Sequence, residues 1–228
     1  MKVKENYNQI RSAIQEACEK ANRKPEDITV IAVTKYVSVE RALEAIEAGV
    51  RHLGENRDEG LLAKWEVLGD KPTWHFIGTL QTRKVKNIID KVDFIHSLDR
   101  ISLAKEIDKR AGRKINCFVQ VNVSGEESKQ GIEPEDLFEF ISKLAEYKNL
   151  HIIGLMTMAP FTSDEDLLRS CFRKLKDLQS KVRDLNYEFA PCAELSMGMS
   201  NDFSIAIEEG ATMVRIGTAL VGEKDQEV

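Results

Sequence analysis

The 228-residue chain has no stretch approaching the ~18 consecutive apolar residues of a membrane-spanning helix, and its opening MKVKENYNQI lacks an apolar signal core. Cysteine is scarce and scattered. Cys18, Cys117, Cys171 and Cys192 form no CxxC pair and have no histidine at ligand spacing. Structural zinc and iron–sulfur chemistry drop out, and reduced thiols in a cytoplasmic protein are expected. Positive charge is not in excess either: 33 Lys+Arg stand against 38 Asp+Glu, a net charge of −5, with the basic residues dispersed. A general binder of nucleic acid or of an anionic membrane would need a basic face. Linkers and low-complexity tracts are missing as well, so one domain over residues 1–228 is expected.

What is present is the balance of a soluble globular protein, 42% hydrophobic and 31% charged. Short apolar runs alternate with long amphipathic stretches. The runs are 28–35, 51–55, 73–78, 93–99, 115–124, 150–159, 194–198 and 212–222. Between them, VERALEAIEAG, PEDLFEFISKLAEY and EDLLRSCFRKLKDLQSKVRDL return apolar residues every three or four positions, and a further helix is expected over about 5–22. Near-continuous Val/Ile/Leu strands separated by helices describe a parallel sheet buried on both faces. Eight such units fit the ~250 residues of a single (β/α)8 TIM-type barrel with an additional N-terminal helix; an open doubly wound sheet is the rival. Pro25 and Pro134 suit element starts, and Gly49, Gly112 and Gly210 suit helix ends.

A parallel barrel gathers its active groups at the C-terminal ends of its strands. Lys35 ends ITVIAVTK, with Ile31 and Val33 on the same face by period-2 alternation. An ammonium with apolar walls is costly to keep charged, and the neutral amine attacks aldehydes; a solvated strand-end lysine is the alternative. Arg215, on the eighth strand, would stand beside Lys35 once the barrel closes, with an anionic or polar ligand between the two cations. A carboxylate partner such as Glu194 or Glu55 is the alternative there. After strand seven, SMGMSNDF offers Ser196, Gly198 and Ser200, and after strand eight Gly217 and Thr218 offer N–H groups with a hydroxyl. Barrel enzymes seat phosphate on these two loops, although each residue taken singly also suits an ordinary turn or N-cap.

An aldehyde-reactive lysine, a phosphate cradle and a cation between them describe a pyridoxal 5′-phosphate site. The motifs AVTKYVS (32–38), LGENRDE (53–59), WHFIGTLQTRK (74–84), NVSGEESKQGI (122–132), GLMTMAP (154–160) and LSMGMSNDF with VRIGTALVG (195–222) occur in order. On them the sequence resembles the pyridoxal-phosphate homeostasis proteins, which share the barrel of the alanine racemase N-terminal domain. Arg57 and Thr79 are mild departures away from the core site. The resemblance implies that Lys35 forms a Schiff base with the cofactor and that Arg215 faces the pyridine nitrogen. It further implies that Ser200, Gly217 and Thr218 hold the phosphate with Ser196 nearby, and that Asn56 lies near the ring hydroxyl. Lys129 would be a peripheral contact.

Other residues read as structural. His75 is expected to be a core histidine with a backbone partner, and His52, His96 and His151 suggest no metal site. Met156, Met158, Met197, Met199 and Met213 read mostly as soft core filling. Two functions compete: a non-catalytic carrier of pyridoxal phosphate that supplies apo-enzymes, and an amino-acid racemase. A racemase needs a base on each face of the substrate, the second supplied by an added domain and a partner subunit. The sequence ends at Val228, six residues after Gly222, and no such domain is expected. Arg215 would also oppose carbanion chemistry. The carrier, as a monomer, is the favoured expectation, with a barrel acting on a phosphorylated sugar or nucleotide precursor as a third.

Overall fold

Alternation within the first apolar run sets the architecture. Ile31 turns inward to a cluster with Phe118, Met156 and Met213, while Val30 and Ala32 turn outward to the main core under the helices. Eight such strands are buried on both faces, as parallel strands are, and closing the sheet removes its edges. The structure, a computed structural model, describes residues 2–126 and 130–222. Its strands are β1 (Thr29–Val33), β2 (His52–Glu55), β3 (Thr73–Phe76), β4 (Phe94–Leu98), β5 (Ile115–Gln120), β6 (Leu150–Met156), β7 (Glu194–Met199) and β8 (Met213–Ile216). They form a closed barrel in sequence order, all pairs parallel, with β8 returning to β1. The open-sheet rival is thereby excluded.

The helices are α1 (Lys2–Lys20), α2 (Val39–Glu47), α3 (Asp58–Leu68), α4 (Val85–Ile88), α5 (Ile101–Arg110), α6 (Leu137–Lys143), α7 (Glu165–Arg183), α8 (Phe203–Glu208) and α9 (Thr218–Val221). Helix α1 starts three residues earlier than its periodicity predicts and buries Val3, Ile10, Ile14, Ala17 and Cys18, one stripe at three- and four-residue spacing. Each such aliphatic side chain contributes about 1.5–3 kcal/mol when fully buried. In α2, Ser38 Oγ accepts the Arg41 N–H at 3.2 Å, and Gly49, at φ 106°, ends the helix in a conformation that disfavours any Cβ. Gly112 does not play that part: α5 ends in extended backbone at Ala111. The four cysteines are buried and free.

The last apolar run is shorter as a strand than expected. Gly217 breaks it after Ile216, and residues 218–221 coil into the single turn of α9, with the N–H groups of Leu220 and Val221 donating to Gly217 O. At Gly154 the neighbouring strand leaves no room for a side chain, since a Cβ there would stand 2.0 Å from Glu194 O. Among the described residues, no helix is long and apolar enough to cross a membrane.

Candidate functional site

The C-terminal strand ends enclose a cavity of about 480 Å³, and most of the expected site residues line it: Lys35, Asn56, Ser200, Arg215, Gly217 and Thr218. Lys35 lies just past β1, in a turn closed by the Val37 N–H on Thr34 O at 3.3 Å. Tyr36 completes that turn at φ 68°, the left-handed region that a bulky residue enters only at a cost of order 1–2 kcal/mol. The turn lifts Lys35 to the exposed rim, with its Nζ 5.6 Å from the Tyr36 ring centroid. Arg57 Cζ stands 5.8 Å from the same ring, and Asn56 Nδ2 donates to Tyr36 Oη at 3.5 Å.

Arg215 lies deeper than expected. Strand register pairs it with Ile31, four residues below Lys35, so the two cations stand at floor and rim of one cavity rather than side by side. Buried, it donates from Nη1 to Ser196 Oγ at 2.6 Å and from Nη2 to Thr157 O at 2.9 Å. These acceptors are neutral, and neither carboxylate expected as an alternative takes the role. Glu55 instead faces away, holding Lys64 Nζ at 3.0 Å. Burial pulls the Arg215 guanidinium down to about 10, against a raising contribution from Asp202, so it stays charged at neutral pH.

Ser200 Oγ accepts the N–H of Gly217 at 3.2 Å and of Ala219 at 3.5 Å, which brings the two loops after β7 and β8 onto one point. Thr218 is exposed beside them. Asp202 is tied to the Met199 N–H at 2.5 Å. Ser196 does not reach the cavity; it is fully buried beneath it, between Arg215 and His96, whose Nδ1 lies 2.8 Å away. Two further expectations need correction. His75 has imidazole partners, His52 and His96, rather than a backbone one. Met158 and Met199 line the cavity instead of filling the core. Lys129 lies outside the described residues. Sequence reasoning missed Ala219, which contributes only its N–H, and Gln120 and Phe161 of the wall. Among the described residues, no cluster of His, Cys, Asp and Glu suits a metal ion.

Comparison with known proteins matches this arrangement to a family. Residues 4–225 fit the model of the alanine racemase N-terminal domain. A pyridoxal phosphate homeostasis protein of Aquifex aeolicus is 44% identical, over 98% of this chain and 99% of its own. The structure of PipY from Synechococcus elongatus PCC7942 with PLP bound superposes at a TM-score of 0.84, with 32% identity, over 96% of this chain and 100% of PipY. An alanine racemase of Clostridium difficile shares the fold at a TM-score of 0.76 and 18% identity; it is matched over 97% of this chain and 59% of the racemase chain. The chain belongs to the alanine racemase N-terminal-domain family, and within it to the pyridoxal phosphate homeostasis proteins.

Proposed function

We propose that this protein, a single barrel domain acting as a cytoplasmic monomer, holds pyridoxal 5′-phosphate as a Schiff base on Lys35. It serves intracellular homeostasis of the cofactor and its delivery to apo-enzymes, without turnover of its own. One observation carries the reading: a primary amine, a buried guanidinium and a converging set of N–H and hydroxyl groups line one cavity of about 480 Å³. That donor set suits a ligand with an aldehyde, a ring acceptor and an anion. PLP bound to PipY, and the homeostasis role named for the Aquifex relative, point to the same ligand.

When bound, the pyridoxal group supplies an aldehyde carbon that condenses with a primary amine and releases one water. Lys35, exposed at the rim, presents that amine. The Ser200 and Thr218 hydroxyls would hold the phosphate without adding charge, and the Gly217 and Ala219 N–H groups, which donate to Ser200 Oγ, would turn to share it. Asn56 binds near the ring hydroxyl, and Ser196 supports the floor from below. Arg215, a charged donor, would hold the ring nitrogen as an acceptor and would weaken the ring as a sink for electrons. Asp202 also lines the cavity; its Oδ1 accepts the Met199 N–H, and burial raises its pKa.

The test is a borohydride trap. Protein mixed with pyridoxal 5′-phosphate should gain a visible absorbance band, and borohydride should fix the label on the peptide containing Lys35. Lys35→Ala should show neither result. A wild-type protein that takes up no pyridoxal 5′-phosphate overturns the reading.

A further inference from the structure

Below the cavity, interior positions on three successive strands carry histidine, and the rings meet end to end. His52 Nδ1 lies 2.9 Å from His75 Nε2, and His75 Nδ1 lies 2.8 Å from His96 Nε2. His96 Nδ1 reaches Ser196 Oγ at 2.8 Å, and Ser196 Oγ accepts from Arg215 Nη1 at 2.6 Å. The file thus runs from half-buried His52, where β2 begins, through two fully buried rings to the guanidinium at the cavity floor. Phe94 stacks on His75 and Phe118 on His96, each pair at 4.4 Å between centroids.

The hydrogen atoms can be assigned by counting. Arginine only donates, so Ser196 Oγ accepts from it. The Ser196 hydroxyl is fully buried and its own hydrogen needs an acceptor, which His96 Nδ1 provides. His96 then carries its hydrogen on Nε2 and donates to His75 Nδ1, and His75 donates in the same sense to His52 Nδ1. All three rings are the Nε2–H tautomer, each with its Nδ1 lone pair turned towards Arg215. Burial, reinforced at His96 by the Arg215 charge, holds His75 and His96 well below the ordinary 6.5, so both are neutral.

We propose that His96, backed by His75 and His52, is a positioning residue for Arg215: the file fixes the guanidinium through Ser196 and adds aligned dipoles to the attraction of the nearby Asp202 carboxylate. The consequence is a guanidinium held in one place at the floor. It accepts a ring with a free nitrogen lone pair and repels a ring that carries a fixed positive charge. This consequence rests on the pyridoxal-phosphate reading of the cavity, whereas the tautomer assignment does not.

Two measurements test the proposal. Long-range ¹H–¹⁵N spectra of the ligand-free protein at neutral pH should show His52, His75 and His96 as Nε2–H tautomers. An Nδ1–H tautomer or an imidazolium at His75 or His96 overturns it. The second measurement compares the affinity of pyridoxal 5′-phosphate with that of its ring-N-methylated analogue. Wild type should prefer the unmethylated ring, and His96→Phe should weaken its binding by ~10-fold and narrow the preference. His96→Asn, whose Oδ1 can replace Nδ1 as acceptor for Ser196, should restore most of both. Should His96→Phe fail to fold, Ser196→Ala breaks the same link and should show the same loss. Wild-type affinity and preference in the broken-file variants overturn the positioning role. Failure of wild type to bind either ring refutes the pyridoxal reading instead, and the spectra still decide the file.

Discussion

The hydroxyl of Thr34 donates to Glu55 Oε1 at 2.7 Å, and each of these two residues stands one position before a cavity residue, Lys35 and Asn56. Lys64, buried on α3, completes the group at 3.0 Å from the same oxygen. An outward-facing ion pair therefore ties together the ends of β1 and β2, from which two site residues project. Removing one partner leaves an uncompensated buried charge. Lys64→Met should cost about 3–5 kcal/mol in thermal or denaturant unfolding, and Lys64→Met with Glu55→Gln distinctly less. A single variant as stable as the parent would show that the pair has no such role.

The proposed anion seat makes a prediction about ligand parts. Ser200→Ala removes a hydroxyl from the point where the Gly217 and Ala219 N–H groups converge, and should weaken pyridoxal 5′-phosphate by about 1.5–3 kcal/mol in a titration. Thr218→Val should act in the same direction. Pyridoxal lacking the phosphate should bind far more weakly to wild type and be nearly indifferent to both substitutions. Equal affinity for the two forms in wild type would place the phosphate elsewhere.

Acid should destabilise the fold in two windows. His75 and His96 are held neutral by burial, with folded-state values well below 6.5, so between those values and 6.5 the unfolded chain binds more protons than the folded one. Stability therefore falls as pH drops below 6.5, by up to ~1.4 kcal/mol per pH unit for each histidine. Glu209 acts lower. Burial raises it, but Arg173 and Arg169 outweigh that and leave it below 4.5; its contribution is present above 4.5 and fades as pH falls through the depressed value. Unfolding curves at successive pH values should show a shallower upper slope for His96→Asn, and a changed lower window for Glu209→Gln.

Turnover is expected to be negligible. Each common L-amino acid, incubated with the loaded protein, should keep its configuration by chiral analysis and exchange little deuterium at Cα. The same preparation should reactivate an apo pyridoxal enzyme as its visible band declines. Racemisation approaching ~1 s⁻¹, lost in Lys35→Ala, would restore the racemase.

Much of this was legible in the sequence because it depends on local period. The eight apolar runs, the inward parity of Ile31, Val33 and Lys35, and the glycines after α2 and α8 follow from spacing alone. Depth does not. Parity puts Arg215 inside the barrel, yet only the register of β8 against β1 sets it beside Ile31 rather than Lys35. Ser196 and Ser200 share a run, and their different heights separate a support beneath the floor from a group at the seat. The histidines are the instructive case. Each alone looks like core filling, but His52, His75 and His96 occupy interior positions on consecutive strands, a pattern visible only when strands are compared with one another. The Thr34–Glu55–Lys64 group had no signal at all, since the strands and α3 bring it together without a motif.

Closure of β8 onto β1 has a consequence for when the cavity comes into being. During synthesis the Lys35 turn leaves the ribosome early, while the strand that carries Arg215, and Gly217 just after it, emerge near the end. Pairings between neighbouring strands can form as translation proceeds, but the seam must wait for both flanks of the ring, and joining such distant segments is the slow, entropically costly step. A nascent or truncated chain would display the amine without the floor and could not retain a ligand. Occupancy of the cavity thus reports that the ring has closed.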